Sequence, residues 1–85
     1  MKRARVINKP LAIRTQYPSS QESIKAGVMG VGDQILITGK VEGENILGNN
    51  IWYLNEHKEF LWAGGLSIVN DTNLFWVGMN LKMTL

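Results

Sequence analysis

Apolar side chains in this chain return at every second position, and in no window do they return at the three- and four-residue spacing of an amphipathic helix. That property decides the fold class, because a period of two belongs to a strand with one buried face. Leu11 and Ile13 alternate with Ala12 and Arg14. Ile24, Ala26 and Val28 alternate next, and Ile35, Ile37 and Val41 then face one side, with Gln34, Thr38 and Lys40 on the other. Between these runs stand residues that reverse a chain. Tyr17-Pro18-Ser19-Ser20 marks a loop within the polar stretch 15–23, and Gly27, Gly30 and Gly32 mark a diverging turn. Glu42-Gly43-Glu44-Asn45 and Gly48-Asn49-Asn50 bracket a further loop. Ile51 to Leu54 forms a short aromatic strand, Asn55 to Glu59 a polar hairpin loop, and Phe60 to Ala63 the returning strand, which Gly64-Gly65 breaks. Leu66 and Ile68 close the far end. The expectation is all-β: a small barrel of five to six short strands, with no α-helix longer than about two turns.

The chain has 85 residues, enough for one domain. A domain this small buries only about 60–65% of the surface its unfolded chain exposes. A hydrophobic content of 45% nevertheless fills one compact core. Cysteine is absent, which removes disulfides and thiolate metal sites from consideration. The net charge of +2 is mixed in sign along the chain, and only Lys2, Arg3 and Arg5 cluster. Basic residues do not accompany the aromatics, as a nucleic-acid interface requires. Asn8, Lys9, Pro10 and Arg14 interrupt any apolar stretch behind the basic start, so it does not read as a signal peptide. No apolar run approaches the ~18 residues of a membrane span.

The last segment differs from the rest. After the turn-like Asn70-Asp71-Thr72-Asn73, residues Phe75, Val77, Met79, Leu81, Met83 and Leu85 occupy one face, and Trp76, Gly78, Asn80, Lys82 and Thr84 the other. A typical strand has about 5–6 residues, so a strand over 74–85 is long. An apolar edge of that length must be covered. Residues 74–85 are therefore expected to pair outside the barrel, either with residues 3–8 or with a second copy of the chain, the latter giving a homodimer. The chain divides accordingly into an N-terminal arm or strand over 1–9, the barrel over 10–69 and the additional C-terminal strand over 70–85.

Four stretches in order resemble the bacterial SH3 (SH3b) family. Leu11-Ala12-Ile13-Arg14 followed by Pro18-Ser19 is similar to its opening Leu-Asn-Val-Arg…Pro-Ser. Gly32-Asp33-Gln34-Ile35-Leu36-Ile37-Thr38-Gly39 is similar to its Gly-x-x-Val-x-Val-x-Gly strand, Trp52-Tyr53 to its Trp-Tyr-Lys-Val strand, and Trp62-Ala63 with Leu66 to its closing Gly-Trp-Val…Leu. The resemblance spans roughly residues 10 to 69. Departures are Tyr17 in place of Gly before Pro, Leu61 in place of Gly before Trp, and Leu54-Asn55 in place of Lys-Val. The resemblance implies a non-catalytic module of the kind attached to cell-wall hydrolases and peptidases. Such a module recognises peptide or peptidoglycan fragments, or docks on a hydrolase domain; the resemblance suggests the cell envelope or secretion, and the cytoplasm is the alternative since no export signal is read in the sequence.

The residues themselves carry no catalytic constellation. His57 lies in a polar loop beside Glu56 and Glu59, with no serine nucleophile and oxyanion hole arranged for it and too few neighbouring ligands to hold a metal. Glu22, Asp33, Glu42, Glu44, Glu56, Glu59 and Asp71 all fall in expected turns, loops or loop edges, and a barrel of this size offers no deep cleft for a carboxylate pair. The glycines of Gly27-Val28-Met29-Gly30-Val31-Gly32 lack the Lys-Ser/Thr and helix of a phosphate loop. The expectation is no enzyme activity, no cofactor and no metal. What remains is a surplus of aromatic residues. If Leu61 and Ala63 face inward, Trp62 faces outward; if Trp52 and Leu54 face inward, Tyr53 faces outward, though the sequence leaves open which of Trp52 and Tyr53 meets the core. Tyr17, Tyr53 and Trp62, with Asn50 as a polar contact, are thus the candidate ligand-binding residues, set between the 15–23 loop and the 51–63 hairpin in the manner of a peptide-gripping surface. The alternative reading is an assembly module that pairs its C-terminal strand with another chain.

Overall fold

The computed structural model describes residues 2–69, and these fold into two antiparallel sheets. The strands are β1 (Lys2–Val6), β2 (Leu11–Thr15), β3 (Ile24–Met29), β4 (Gln34–Ile37), β5 (Gly39–Ile46), β6 (Asn49–Leu54), β7 (Phe60–Trp62) and β8 (Leu66–Val69). A single 3₁₀ turn, Ala63–Gly65, is the only helical element among the described residues. The smaller sheet has the order β4-β1-β8 and the larger the order β3-β2-β7-β6-β5. The all-β expectation holds. Residues 10–69 hold seven strands against the expected five to six, because the run over 34–46 is parted at Thr38 into β4 and β5 of different sheets.

β1 is the middle strand of the smaller sheet. Its register sets Ala4 against Ile35 on one side and Ile68 on the other. Alternation along β1 turns Ala4 and Val6 inward, and both are fully buried with Leu61, Ile37 and Leu66. Leu11, Ile13, Met29, Ile35 and Tyr53 pack against that cluster from its flanks. The core thus lies between the sheets, and residues 2–6 are integral to it. Both hydrogen-bonding edges of β1 are taken, so residues 3–6 are not open to another strand. The strand expected over 74–85, and the homodimer drawn from it, lie outside the described residues.

The turns have specific causes. Between β3 and β4, the Gly30 amide donates to the Asp33 carboxylate at 2.9 Å and the Asp33 amide to the Gly30 carbonyl at 3.0 Å. Gly32 takes φ +93° there, in the region where a side chain is unfavourable. Between β5 and β6 the connection is only Leu47-Gly48, both at positive φ, as in a type I′ hairpin. This corrects the expected loop over 42–50: Glu42 to Asn45 are strand, so Glu42 and Glu44 are not turn carboxylates. The sequence signal misled because glycine and asparagine mark bulges as well as turns, and the β5–β6 register shifts between Glu42 and Ile46. The 55–59 turn is organised by Asn55, which is buried. Its side-chain oxygen accepts from the amides of His57 and Glu59, both at 2.9 Å, and its side-chain nitrogen donates to the Glu59 carboxylate at 2.8 Å. His57 itself is exposed.

A break at Thr38 changes the alternation. Thr38 lies outside both strands, and its amide donates to the Leu54 carbonyl at 2.8 Å as the chain passes from the smaller sheet to the larger. Ile37 faces the core, but beyond the break Lys40 pairs with the core-packed Tyr53 and Val41 pairs with Trp52. Val41 therefore faces away from Ile37, contrary to the single unbroken alternation read from 35 to 41.

Candidate functional site

Directly paired residues on antiparallel strands share a face, and successive residues on a strand do not. That rule places the candidate aromatics. Tyr53 pairs with Leu61, the most deeply buried of the large core residues, and so faces inward. Trp62 pairs with Trp52, and both lie on the opposite face of the larger sheet. Asn50 shares that outer face by alternation. The expected patch of Tyr17, Tyr53 and Trp62 is therefore not assembled: a sheet separates Tyr53 from Trp62.

Trp62 is held down. Its indole nitrogen donates to the Asn49 carbonyl at 3.0 Å, and its ring lies so close over Gly64 that an added Cβ would fall 2.2 Å from Cζ2. Asn49, one position before the expected Asn50, is the polar partner of this ring. Trp52 faces outward as well, yet is only 2% exposed. Its indole nitrogen donates to the Glu44 carbonyl at 3.0 Å.

Glu44 is the residue that sequence reasoning missed. Its amide donates to the Pro18 carbonyl at 2.9 Å. One carboxylate oxygen accepts from the Ser20 amide at 2.6 Å, the Ser20 hydroxyl at 2.8 Å and the Ser19 hydroxyl at 3.4 Å. Hydrogen bonds to the ionised form, the Ser20 amide foremost, hold its pKa below the ordinary glutamate value. The loop is also tied within itself, since the Ser19 hydroxyl accepts from the amides of Gln21 and Glu22 and the Ser23 hydroxyl donates to the Ser19 carbonyl. Gly43 completes the docking. A Cβ there would lie 2.5 Å from both the Cβ and the carbonyl oxygen of Pro18, so only glycine admits the close approach. The partners lie 24 to 26 positions apart in sequence, and the only local signal was a glycine beside a carboxylate.

The consequence is a fixed loop carrying an exposed side chain. Tyr17, 55% exposed, stands with Pro18 beside an open depression of about 460 Å³, whose rim includes Gln21, Glu22 and Glu44. Tyr53 lines a different depression with Ile37, Ile68, Lys2 and Lys40. Trp62 and Asn50 line neither. Among the described residues, no three His, Cys, Asp or Glu side chains converge as metal ligands do, and no helix is long and apolar enough to cross a membrane. Comparisons with protein-family models, with curated proteins and with solved structures find no match to this chain.

Proposed function

We propose that the chain is a non-catalytic binding module of SH3-like barrel type, and that it takes an extended peptide segment across Tyr17 and Pro18. The observation that carries this reading is the exposed Tyr17 ring on a loop that Glu44 pins to β5 and β6. A rigid aromatic desolvates readily and loses little side-chain entropy on contact, which is what a small recognition surface requires. Tyr53 and Trp62 support the sheets beneath and make no contact with the peptide in this reading. The resemblance to SH3b modules nominates cell-wall peptide or a partner hydrolase domain as the target, and the cell envelope as its place. Affinity is expected in the range of roughly micromolar to millimolar, because so small a patch must offset the cost of association. The test joins a thermal melt to a pull-down on purified peptidoglycan and on peptides released from it. Tyr17→Ala should leave the melting temperature unchanged and remove retention. Retention unaltered by Tyr17→Ala, or hydrolysis by the purified protein, would defeat the proposal.

A second reading, assembly through residues 74–85, has one observation in its favour: β8 pairs only with β1 among the described residues and leaves its other edge unpaired. Sedimentation of the full chain against a variant carrying Val77→Lys and Leu81→Lys separates the two. Loss of a dimer supports assembly, and a monomer in both favours the binding module.

A further inference from the structure

Two lysines occupy core-facing positions where the sheets open to solvent. Lys2 pairs with Ile37 and lies on the same face of β1 as the buried Ala4 and Val6; Lys40 pairs with Tyr53 on the larger sheet. Together they rim an open pocket of about 310 Å³ with a floor of Ile37, Tyr53 and Ile68. Ile68 shares the inward face with the buried Leu66, since the two pair with Ala4 and Val6, yet it remains 42% exposed. The core is thus left uncapped at this end among the described residues. Among the described residues, no carboxylate lines the pocket. Inward positions of a sheet ordinarily carry apolar residues, so two ammonium groups over an apolar floor form a pattern with chemical content. Positive charge attracts an anionic head, and the floor removes an apolar tail from water. The volume lies at the lower end of the ~300–1,000 Å³ of small-molecule sites.

We propose that this pocket binds a monocarboxylate bearing a short apolar chain, with the carboxylate between Lys2 and Lys40 and the chain against Ile37, Tyr53 and Ile68. The site is separate from the Tyr17 depression and does not depend on the peptide-binding reading. The test titrates octanoate, below its micelle concentration, into the full ¹⁵N-labelled chain and follows amide shifts. Saturable shifts confined to residues 2, 37–40, 53 and 68 are expected. Hexanoate should bind about 10-fold more weakly, from the loss of two buried methylenes. Octylamine should not bind, and octan-1-ol should bind at least 10-fold more weakly than octanoate. The double substitution Lys2→Gln with Lys40→Gln, both at exposed positions, should weaken octanoate at least 10-fold with an unchanged melt. Four results overturn the proposal: octan-1-ol binding as tightly as octanoate, an indifferent lysine double variant, shifts that centre elsewhere, or contacts from residues 74–85 to Tyr53 and Ile37 in the free protein. The last would assign the pocket to the chain itself.

Discussion

The two depressions each carry one tyrosine, but different forces build them. The depression at Tyr17 is made by polar contacts: one carboxylate, two serines and a proline carbonyl fasten a loop to the outside of a sheet. The one at Tyr53 is made by the core itself, where Ile37 and Ile68 reach the end of the space between the sheets. The first has acidic groups at its rim and the second basic ones. A surface held by hydrogen bonds can be released without unfolding the molecule, because each such bond contributes only about 0.5–1.5 kcal/mol net. A surface that continues the core stands or falls with the fold.

The strongest way to break this contrast is at Leu61, beneath Tyr53. Leu61→Ala should cost about 2–5 kcal/mol in urea or thermal unfolding, as a large-to-small change at a fully buried site. A smaller loss would mean that the larger sheet does not depend on that packing. Next in size is Gly43→Ala. The added methyl meets Pro18, so the variant should lose about 1–3 kcal/mol and shift the amides of residues 17–23, with those around Tyr53 left in place. Equal disturbance at both depressions would abolish the distinction.

Acid sharpens the comparison further. The pKa of Glu44 is lowered in the folded chain, so its contribution to stability is present above the unfolded value of about 4.3 and is lost as pH falls through the lower folded value. The Ser20 amide should therefore move only as pH falls below the ordinary glutamate range, while the Lys40 and Tyr53 amides stay still, and Glu44→Gln should remove that titration. The smallest effect belongs to His57→Ala. The ring is exposed and the backbone amide that Asn55 accepts is kept, so stability should change by no more than about 0.5 kcal/mol, with both depressions unaltered in the amide spectrum.

The strands were legible because burial of one face imposes a period that survives in the sequence. The alternation of Leu11 and Ile13 marks a face that does pack on the core, whereas that of Ile24, Ala26 and Val28 marks the exposed face of β3; the polar hairpin at 55–59 was legible from its composition. Two kinds of information were not local. The break at Thr38 resets the alternation, and its cause is a hydrogen bond to Leu54, 16 positions away. The facing of Tyr53 depended on its register with Leu61, which a single strand cannot reveal. The candidate patch failed at that point. The exposure of Tyr17 was legible because a tyrosine beside a proline in a polar stretch is seldom core, whereas Glu44 was passed over because nothing near it in sequence names its partners.

The position of β1 bears on how the chain is made. Val6 meets Leu66, 60 positions later, so the smaller sheet can begin as the β1–β4 pair but cannot be completed until β8 arrives. A ribosome adding ~5–20 residues per second needs several seconds to supply it. During that interval Ala4, Val6 and Ile37 lack Leu61 and Leu66, while the β5–β6 hairpin can close at once across Leu47-Gly48. Long-range closure of this kind carries a loop-entropy cost before any contact is gained, which slows folding. The described strands should therefore assemble from the β5–β6 hairpin outwards, and β1, made before the other strands described, should complete its pairing late.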